Sequence, residues 1–402
     1  MSQKGHILVI NRVFPPDTGA SGLRLMELCQ GLAQKNWRIT VLTNKGRNVS
    51  PPNLHANIRV ARLPFGSLEG KPSVLQYFFW LWALFFRALF MGRADVTLTV
   101  TDPPMSALIT AFLRFFKGTR TVHWVHDLYP ELLTVTGRSI PVVQNMLEGI
   151  AHWALCRQDR IVAIGQDMAD IIRPSLSVPG KIVVIPNWPD VQSALLDKKK
   201  PVRHDSQNPY VLEGMFTVLY SGNFGMVHEF GPIIDAINIV GRSPHPIRFI
   251  FAGDGPKFTE VRDRIDALML NNVHFIRAQP RDKFIDMLLA GDLHMATLVP
   301  EAAGLVAPSK INSALGLGRP CIYLGSPKSS QAKLIRDYKA GAVIDGMDPK
   351  AKFLIAEAII NYAVNEDEFA EAQTNAIHAA ESISFDKAVK AFDELCLGLL
   401  RE

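Results

Sequence analysis

The stretch Ile7-Leu-Val-Ile-Asn-Arg-Val-Phe-Pro-Pro-Asp-Thr-Gly-Ala-Ser-Gly-Leu-Arg24 begins as a short apolar run and ends in small residues where a helical pattern starts. Apolar residues recur at helical spacing over Leu23–Gln34, which predicts an amphipathic helix there. A strand, a loop and a helix in this order form the unit that parallel sheets repeat. The opening stretch therefore predicts an α/β fold.

The same alternation continues along the chain in two series. The first series of predicted strands is Ile7–Val13, Ile39–Asn44, Ile58–Leu63, Asp95–Val100, Thr121–His126, Ile161–Ile164 and Ile182–Ile185. The second series is Phe216–Tyr220, Ile247–Phe251, Val273–Ile276, Leu293–Val299, Pro320–Leu324 and Ala342–Ile344, and it is followed by a helical region over residues 349–400. We expect two doubly wound domains, with a ligand bound in the cleft at the carboxyl ends of both sheets.

The two series are separated by residues 188–214, which are polar and rich in charge and proline. This segment includes Lys198-Lys-Lys-Pro201 and cannot form a buried element. The predicted organisation is a first domain over residues 1–190, a linker over 191–214, a second domain over 215–380 and a final helix over 381–402 that packs back on the first domain.

Composition excludes several classes of protein. With 48% hydrophobic and 20% charged residues among 402, the chain can bury two cores and is not disordered. The four scattered cysteines include no Cys-x-x-Cys, so neither a disulfide framework nor the usual zinc spacing is supported, and a reducing compartment is indicated. Because no long apolar core of a secretory signal is present at the N-terminus, we expect a cytoplasmic protein.

The positive charge is concentrated in the first half. Residues 1–190 contain 20 Lys and Arg against 12 Asp and Glu, whereas the rest of the chain contains 23 against 26. This asymmetry indicates an anionic partner for the first half, either nucleic acid, phosphate groups or a membrane surface. No nucleic-acid-binding module is recognisable, so we expect no nucleic acid as partner.

Residues 74–91 contain eight aromatic residues among the fourteen from Tyr77 to Phe90. A membrane span is not expected, because Gln76 and Arg87 interrupt the segment and it lies between two strands of one sheet. Together with the apolar and basic stretch Phe112–Arg120, it predicts attachment to an anionic inner leaflet. The alternative is that one face lies in the core and the other meets a neighbouring helix or a second subunit.

Polar side chains follow strands in both predicted domains. His126 and Asp127 come at the end of the fifth strand, where an imidazole beside a carboxylate can orient a hydroxyl or take its proton. In the second domain, Ser309 is a candidate helix cap, and Lys310 adds its charge to the positive end of the helix dipole. This pair suits a diphosphate.

The order of these motifs resembles the glycosyltransferases of family 4, in the branch that builds bacterial surface polysaccharides such as lipopolysaccharide. The motifs are Phe14-Pro-Pro-Asp-Thr-Gly-Ala-Ser, Asp127-Leu-Tyr-Pro-Glu, Ile185-Pro-Asn-Trp, Ser221-Gly-Asn, Gly253-Asp-Gly-Pro and Pro308-Ser-Lys. The resemblance implies a GT-B fold of two Rossmann-like domains, with the acceptor on the first and a nucleotide sugar on the second. It also implies retention of anomeric configuration, without a cofactor or metal, and the chain contains no Asp-x-Asp.

The resemblance assigns roles to individual residues. The catalytic candidates are His126, Asp127 and Glu301. The donor-binding candidates are Gly19, Ala20, Gly222, Asn223, Gly253, Ala278, Ser309, Lys310 and Ser313, while Arg24 and Arg281 are candidates for binding the acceptor or a phosphate. The implied partners are a nucleotide sugar, a UDP-hexose or UDP-amino sugar, and a lipid-linked glycan acceptor at the inner face of the membrane.

Two departures from the family pattern affect the donor site. Ser313 stands where a ribose-binding glutamate is usual, and Phe224-Gly-Met-Val-His228 lacks the basic residues that usually follow the Ser-Gly-Asn turn. The alternatives are a GT-B-like sugar-nucleotide epimerase and a non-catalytic, degenerate transferase that acts as a scaffold.

Overall fold

The computed structural model describes residues 3–17, 19–46, 53–65, 73–137, 141–176, 178–190, 208–279 and 281–402. The chain divides into two compact units. The first domain comprises Met1–Pro186 with Asp386–Glu402, and the second comprises Asn187–Phe385. Most of the predicted linker, residues 191–207, lies outside the described residues.

The first domain is built on a parallel sheet. Its strands are Gly5–Ile10 (β1), Trp37–Thr43 (β2), Ile58–Arg62 (β3), Val96–Val100 (β4), Arg120–Val125 (β5), Arg160–Ala163 (β6) and Ile182–Val184 (β7). They pair in the order β3-β2-β1-β4-β5-β6-β7. The first strand ends three residues before the predicted Val13, because the Asn11 side chain donates to the Val13 carbonyl at 2.6 Å and turns the chain.

Helices connect these strands and cover the sheet. They are Ala20–Gln34 (α1), Val74–Leu89 (α2), Ala107–Lys117 (α3), Glu131–Val135 (α4), Pro141–Cys156 (α5) and Gln166–Ile172 (α6). Ser73 caps α2 by accepting from the backbone N–H of Gln76, whose side chain in turn accepts from the Ser73 N–H. On one face of the sheet, Leu8, Ile10 and Leu42 form a core with buried residues of α2.

The second domain has a sheet of the same kind. Its strands are Phe216–Asn223 (β8), Ile247–Asp254 (β9), Val273–Ile276 (β10), Leu293–Thr297 (β11), Cys321–Gly325 (β12) and Gly341–Asp345 (β13), and they pair in the order β10-β9-β8-β11-β12-β13. The fourth of them ends before the predicted Val299, because the Val299 N–H donates to the carbonyl of Val227, outside the sheet. Both domains therefore confirm the predicted α/β class.

The helices of the second domain include two in the region predicted to be helical, residues 349–400. They are Gly231–Val240 (α7), Phe258–Ala267 (α8), Arg281–Leu289 (α9), Ser309–Gly316 (α10), Ser330–Tyr338 (α11), Ala351–Val364 (α12) and Glu366–Ser382 (α13). Asn365 separates the last two by accepting from the Glu368 N–H with its side chain. Buried residues of α7 and α12 pack with Phe249 and Phe251 of the sheet.

A final helix, Phe385–Arg401 (α14), returns to the first domain. Its Asp393 carboxylate accepts from the indole Nε1 of Trp37 at 2.7 Å and pairs with Lys4 at 2.8 Å. The Phe392 ring packs edge-on against Trp124 with centroids 5.0 Å apart. Among the described residues, no helix is long and apolar enough to cross a membrane.

Candidate active site

Glycines of the second sheet allow its first two strands to end in close contact. Gly222 and Gly253 lie opposite each other in the register of β8 and β9, with φ of 124° and 139°. A Cβ on Gly253 would lie 1.9 Å from the Gly222 carbonyl oxygen, and one on Gly222 would lie 2.8 Å from Cε of Lys310. Only glycine fits these positions, so the Lys310 side chain lies directly over the turn.

Lys310 is a desolvated cation without an anionic partner. Its Nζ lies 5.1 Å from the centroid of the Tyr220 ring, and among the described residues no carboxylate is within ion-pair distance of it. Burial lowers the pKa of Lys310 to about 8, against a smaller opposite effect from Cys321. A cation held in this way stabilises an anion that enters the site.

His228 is the second polar group at this site, and sequence reasoning missed it. Its Nδ1 accepts from the Gly225 N–H at 3.0 Å, and burial lowers its pKa to about 3, with smaller effects from Lys310 and Lys257. The neutral ring therefore carries its proton on Nε2, which is 3.5 Å from the Lys310 Nζ. Two donors that face each other cannot satisfy one another, and an anionic oxygen between them satisfies both.

The position of His228 changes the interpretation of the segment Phe224–His228. The absence of Lys and Arg there predicted a weakened site, but His228 fills the place beside Lys310. The Lys257 Nζ donates to the His228 carbonyl at 2.7 Å and adds a further positive charge nearby. A histidine directly before a glutamate carries no motif of its own, so only the packing identifies it.

The prediction that Ser309 caps the helix carrying Lys310 is wrong. Pro308, and not Ser309, is the residue before the first turn, and no side chain caps this helix. The Ser313 hydroxyl donates to the Ser309 carbonyl at 3.3 Å, so it is engaged by its own helix. The N–H groups at the start of this helix have no side-chain cap, so those of Ser309 and Lys310 can donate to an anion together with the Lys310 side chain.

The other donor candidates follow strands, precede α1 or have side chains outside the described residues. Asn223 ends β8 beside Gly222, whereas Glu301 and Ala278 are exposed and follow β11 and β10 respectively. The Arg281 side chain lies outside the described residues, and so does that of Ala20. Gly19 precedes α1, and a Cβ there would lie 3.0 Å from the Val13 side chain.

The first domain carries its own polar cluster at the carboxyl edge of the sheet. His126 is buried, its Nε2 is without a hydrogen-bond partner in the described structure, and Trp124 packs edge-on against it at 4.3 Å. Burial lowers the pKa of His126 to about 3, aided by the charge of Arg24, which is itself buried, and by His123. The imidazole is therefore neutral and can bond to a sugar hydroxyl.

Asp127 lies next to it, and its pKa is raised to about 6 by burial and then by the charge of Asp102. The backbone N–H groups of His126 and Asp127 both donate to the Thr101 hydroxyl, at 3.3 and 3.4 Å, which fixes the turn after β5. A carboxylate with this pKa is ionised at neutral pH and can accept a proton from a hydroxyl.

An ion pair not foreseen from the sequence borders this cluster. Arg12 donates to both carboxylate oxygens of Asp102, at 2.7 and 3.0 Å. Its guanidinium also lies over the rings of Tyr77 and Trp80, 5.3 and 5.2 Å from their centroids. The aromatic helix α2 is thereby tied to the carboxyl edge of the sheet.

Metal ligation is not apparent in either cluster. Within the described part of the chain, no group of three His, Cys, Asp or Glu side chains could hold a metal ion. The donors at the second-domain site are the Lys310 ammonium group and the neutral imidazole N–H of His228, which bind anions.

Comparison with known proteins follows the same division into two domains. Residues 22–193 match the model of Glycosyltransferase Family 4, and residues 203–381 match that of Glycosyl transferases group 1. The chain is 25% identical over 289 residues, 70% of each protein, to the probable glycosyltransferase WbjE of Pseudomonas aeruginosa.

Solved structures share the fold. Sucrose-phosphate synthase from Thermosynechococcus elongatus is similar with a TM-score of 0.70 and 16% identity over 98% of both chains. HepE of Anabaena, in complex with UDP and glucose, is similar with a TM-score of 0.68 and 17% identity over 97% of this chain and 99% of that one. The two family matches and the two parallel-sheet domains agree: this chain is a glycosyltransferase of family 4 with the GT-B fold.

Proposed function

We propose that this glycosyltransferase moves a hexose or amino sugar from a uridine diphosphate donor, with retention, onto a lipid-linked or polysaccharide acceptor at the cytoplasmic face of the membrane. The observation that carries the donor half is the pair His228 Nε2 and Lys310 Nζ, two hydrogen-bond donors 3.5 Å apart. A diphosphate supplies the oxygens that this pair lacks. The complex of HepE with UDP and glucose supports a uridine nucleotide as donor.

The proposed chemistry places these donors at the leaving group. When the bond between the anomeric carbon and the diphosphate breaks, its electron pair goes to the phosphate oxygen. The Lys310 ammonium, the His228 N–H and the amide groups of the first turn of α10 would stabilise that charge without a metal or other cofactor. Ser313, Asn223 and the turn glycines would shape the rest of the donor site, with Glu301 as a candidate sugar ligand.

The acceptor half of the proposal concerns His126 and Asp127. The neutral His126 would bind a sugar hydroxyl through its unpartnered Nε2. Asp127 would orient the acceptor hydroxyl, and Arg24 would contribute positive charge toward a phosphate of the acceptor. The pKa of about 6 for Asp127 keeps it ionised at neutral pH.

An exposed apolar surface supports a membrane-bound acceptor. One side of α2 packs in the core, but on its other side Phe78 and Phe86 are 60% and 52% exposed, and Phe90, directly after the helix, is 81% exposed. Phe115 and Phe116 of α3 are 81% and 57% exposed. Ring contacts connect α2 to α3 and α3 to α5, so this aromatic surface, defined by the exposed rings of the three helices, is continuous. Surfaces of this kind bind a membrane or another protein.

Vesicle binding tests the membrane half. We expect the full chain to bind vesicles of phosphatidylcholine with phosphatidylglycerol, and Phe90→Ser with Phe115→Ser to weaken that binding by more than about tenfold. The matched control is Phe353→Ser, which removes a ring 55% exposed in the second domain. Equal binding by all three proteins would contradict attachment through the aromatic surface. A concentration-dependent dimer that the double variant abolishes would instead assign the surface to a second copy.

Transfer itself is tested with a panel of nucleotide sugars, with and without membrane lipid extract. We expect nucleotide release with one uridine donor, increased by lipid, and a product whose anomeric configuration by proton NMR equals that of the donor. Release of free sugar and nucleotide independent of any acceptor would support the epimerase alternative. Absence of thermal stabilisation by every nucleotide tested would support the scaffold alternative.

A further inference from the structure

A cavity of the first domain lies at the opposite end of the sheet from His126 and Asp127. Its volume is about 580 Å³, within the range of small-molecule sites. It is bordered by the amino ends of β1, β2 and β3 and by the end of α2. Its polar lining includes His6, Arg38, Thr40, Arg59, Arg87 and Arg93.

The strand sequences explain why this end of the sheet is polar. On the face covered by α2, side chains change from polar to apolar along each strand: His6, Leu8 and Ile10 on β1, then Arg38, Thr40 and Leu42 on β2. The helix covers the apolar end, where Ile10 and Leu42 are buried, and leaves the polar end open. His6 pairs in register with Arg38, and Thr40 with Arg59, so the arginines of neighbouring strands converge.

The charge of the cavity is uncompensated. In the described part of the chain, its lining holds four arginines and no carboxylate, and Arg38, Arg59 and Arg87 form no ion pair. Arg93 donates to the Gly118 carbonyl at 3.1 Å. Asp95, which does not line the cavity, accepts from the His6 backbone N–H at 2.8 Å.

His6 adds a polar atom without a partner. Its Nε2 contacts the Thr40 hydroxyl at 2.9 Å, and its buried Nδ1 has no hydrogen-bond partner in the described structure. Burial and then the charge of Arg38 lower the pKa of His6, against smaller opposite effects from the Arg93 backbone and from Asp95, so the ring is neutral beside the guanidinium groups. The floor of the cavity can therefore bond to a polar headgroup, while the arginines bind its charge.

We propose that this cavity binds the phosphate-bearing headgroup of an anionic membrane lipid. Guanidinium groups form forked hydrogen bonds with phosphate oxygens, and four of them around one cavity suit a phosphodiester. The inference rests on the membrane half of the proposed function. It goes further by assigning a specific headgroup site, in place of a general attraction between a basic domain and a negative surface.

The surroundings favour a lipid over a soluble phosphate compound. Leu8, Ala61 and Met91 line the same cavity, and Met91 directly follows the 81% exposed Phe90 of the aromatic surface. A headgroup in the cavity would thus have apolar protein surface beside it, where acyl chains lie. A soluble phosphate compound has no acyl chains and would gain nothing from apolar surface beside its binding site.

The test compares two double variants that remove the same charge. Arg38→Gln with Arg59→Gln removes two exposed cavity guanidiniums, while Lys35→Gln with Lys45→Gln removes two exposed ammonium groups that do not line the cavity. Binding of each full chain to phosphatidylcholine vesicles is titrated with phosphatidylglycerol. We expect the cavity variant to bind more than about tenfold more weakly than the natural chain, and the control to lose less than about threefold.

Three results would overturn the inference. Equal losses in the two double variants would mean a diffuse electrostatic attraction. Unchanged vesicle binding would mean that the cavity takes no headgroup. Thermal stabilisation of the natural chain by sn-glycerol 1-phosphate, lost in the cavity variant while vesicle binding stays equal, would assign the cavity to a free phosphate compound.

The test of the headgroup site can be separated from the test of the proposed function. Stabilisation by UDP is measured on the same variants, since the nucleotide pair His228 and Lys310 belongs to the other domain. Loss of vesicle binding with retained UDP stabilisation supports the headgroup site. If the natural chain does not bind vesicles at all, both the membrane half of the proposed function and the headgroup site are refuted. The Phe90 and Phe115 variants test the aromatic surface separately.

Discussion

Each domain places a cation over a tyrosine ring at the carboxyl edge of its sheet, but only one of the two cations has a counter-charge. Arg12 lies over Tyr77 and donates to both oxygens of Asp102. Lys310 lies over Tyr220, and no described carboxylate pairs with it. The first cation is part of the structure. The second is held in a desolvated state that a bound anion would relieve, which supports the proposal that the second domain receives the diphosphate.

The largest effect is expected from removing the unpaired cation. Lys310→Ala should lower the rate of transfer by about 10²–10³, because one donor to the leaving group is lost from the transition state. Steady-state nucleotide release measures this. Lys328→Ala removes an exposed lysine of the same domain and should stay within about twofold. Near-normal turnover of the Lys310 variant would contradict the proposal that Lys310 stabilises the leaving group.

Removal of the second donor should have a smaller effect. His228→Ala is expected to lower transfer by about 10- to 100-fold, the usual range for a hydrogen bond to a charged group. His228→Gln, which can keep an N–H near the same place, should recover part of the loss. His274→Ala, on an exposed part of β10, serves as the control. Equal rates for His228→Ala and the control would remove His228 from the site.

The paired and the unpaired cation should differ most clearly in their effect on stability. Replacing each by methionine should change the free energy of unfolding in opposite directions. Arg12→Met leaves the Asp102 carboxyl without its partner and should destabilise the first domain by about 2 kcal/mol. Lys310→Met removes a desolvated charge and should stabilise the second domain by up to about 1 kcal/mol. Differential scanning calorimetry of the full chain checks both signs. A destabilising Lys310→Met would show that a counter-charge exists.

The smallest effect is a pH dependence of donor binding. Since the pKa of Lys310 is about 8 in the free protein, the binding ammonium is present below pH 8 and is lost as the pH rises through that value. At pH 9 about one molecule in ten is protonated, so UDP-glucose should bind about tenfold more weakly than at pH 7. His228, with a pKa of about 3, stays neutral throughout this range.

Calorimetric titration from pH 6 to pH 9 measures this dependence. UDP-glucose has no phosphate group that titrates in the range, and the uracil N3–H, which titrates near its upper end, contributes equally to the natural chain and to the variant used as control. Lys310→Met should show weak binding without the decrease above pH 8. A decrease of the same size in that variant would assign the titration to another group.

The fold was predictable because its signals are local. Each apolar run and each helical pattern, from Ile7–Ile10 onward, is encoded in a few consecutive residues, and parallel pairing follows from the alternation. Lys310 could be singled out as a candidate for the same reason, since a small-residue turn and a basic first-turn residue are neighbours in sequence.

The rest of the site depends on tertiary contacts. Arg12 and Asp102 are 90 residues apart, and nothing in either neighbourhood indicates the other. The role of His228 depends on the Gly225 N–H, which fixes its tautomer, and on Lys310, 82 residues away. The residue type of Ser309 favours the cap position, but Pro308 precedes the first turn instead. Position within the fold, more than residue type, decided these cases.

The return of α14 to the first domain has a consequence for biosynthesis. Trp37 is fully buried, and its indole N–H bonds to Asp393, 356 residues later in the chain. During translation the whole second domain therefore emerges before the first domain can complete its packing around Trp37. Until then, the surface of the nascent first domain around Trp37 stays uncovered. A chain that ends just after Pro186 lacks α14, so its Trp37 surface would stay uncovered permanently.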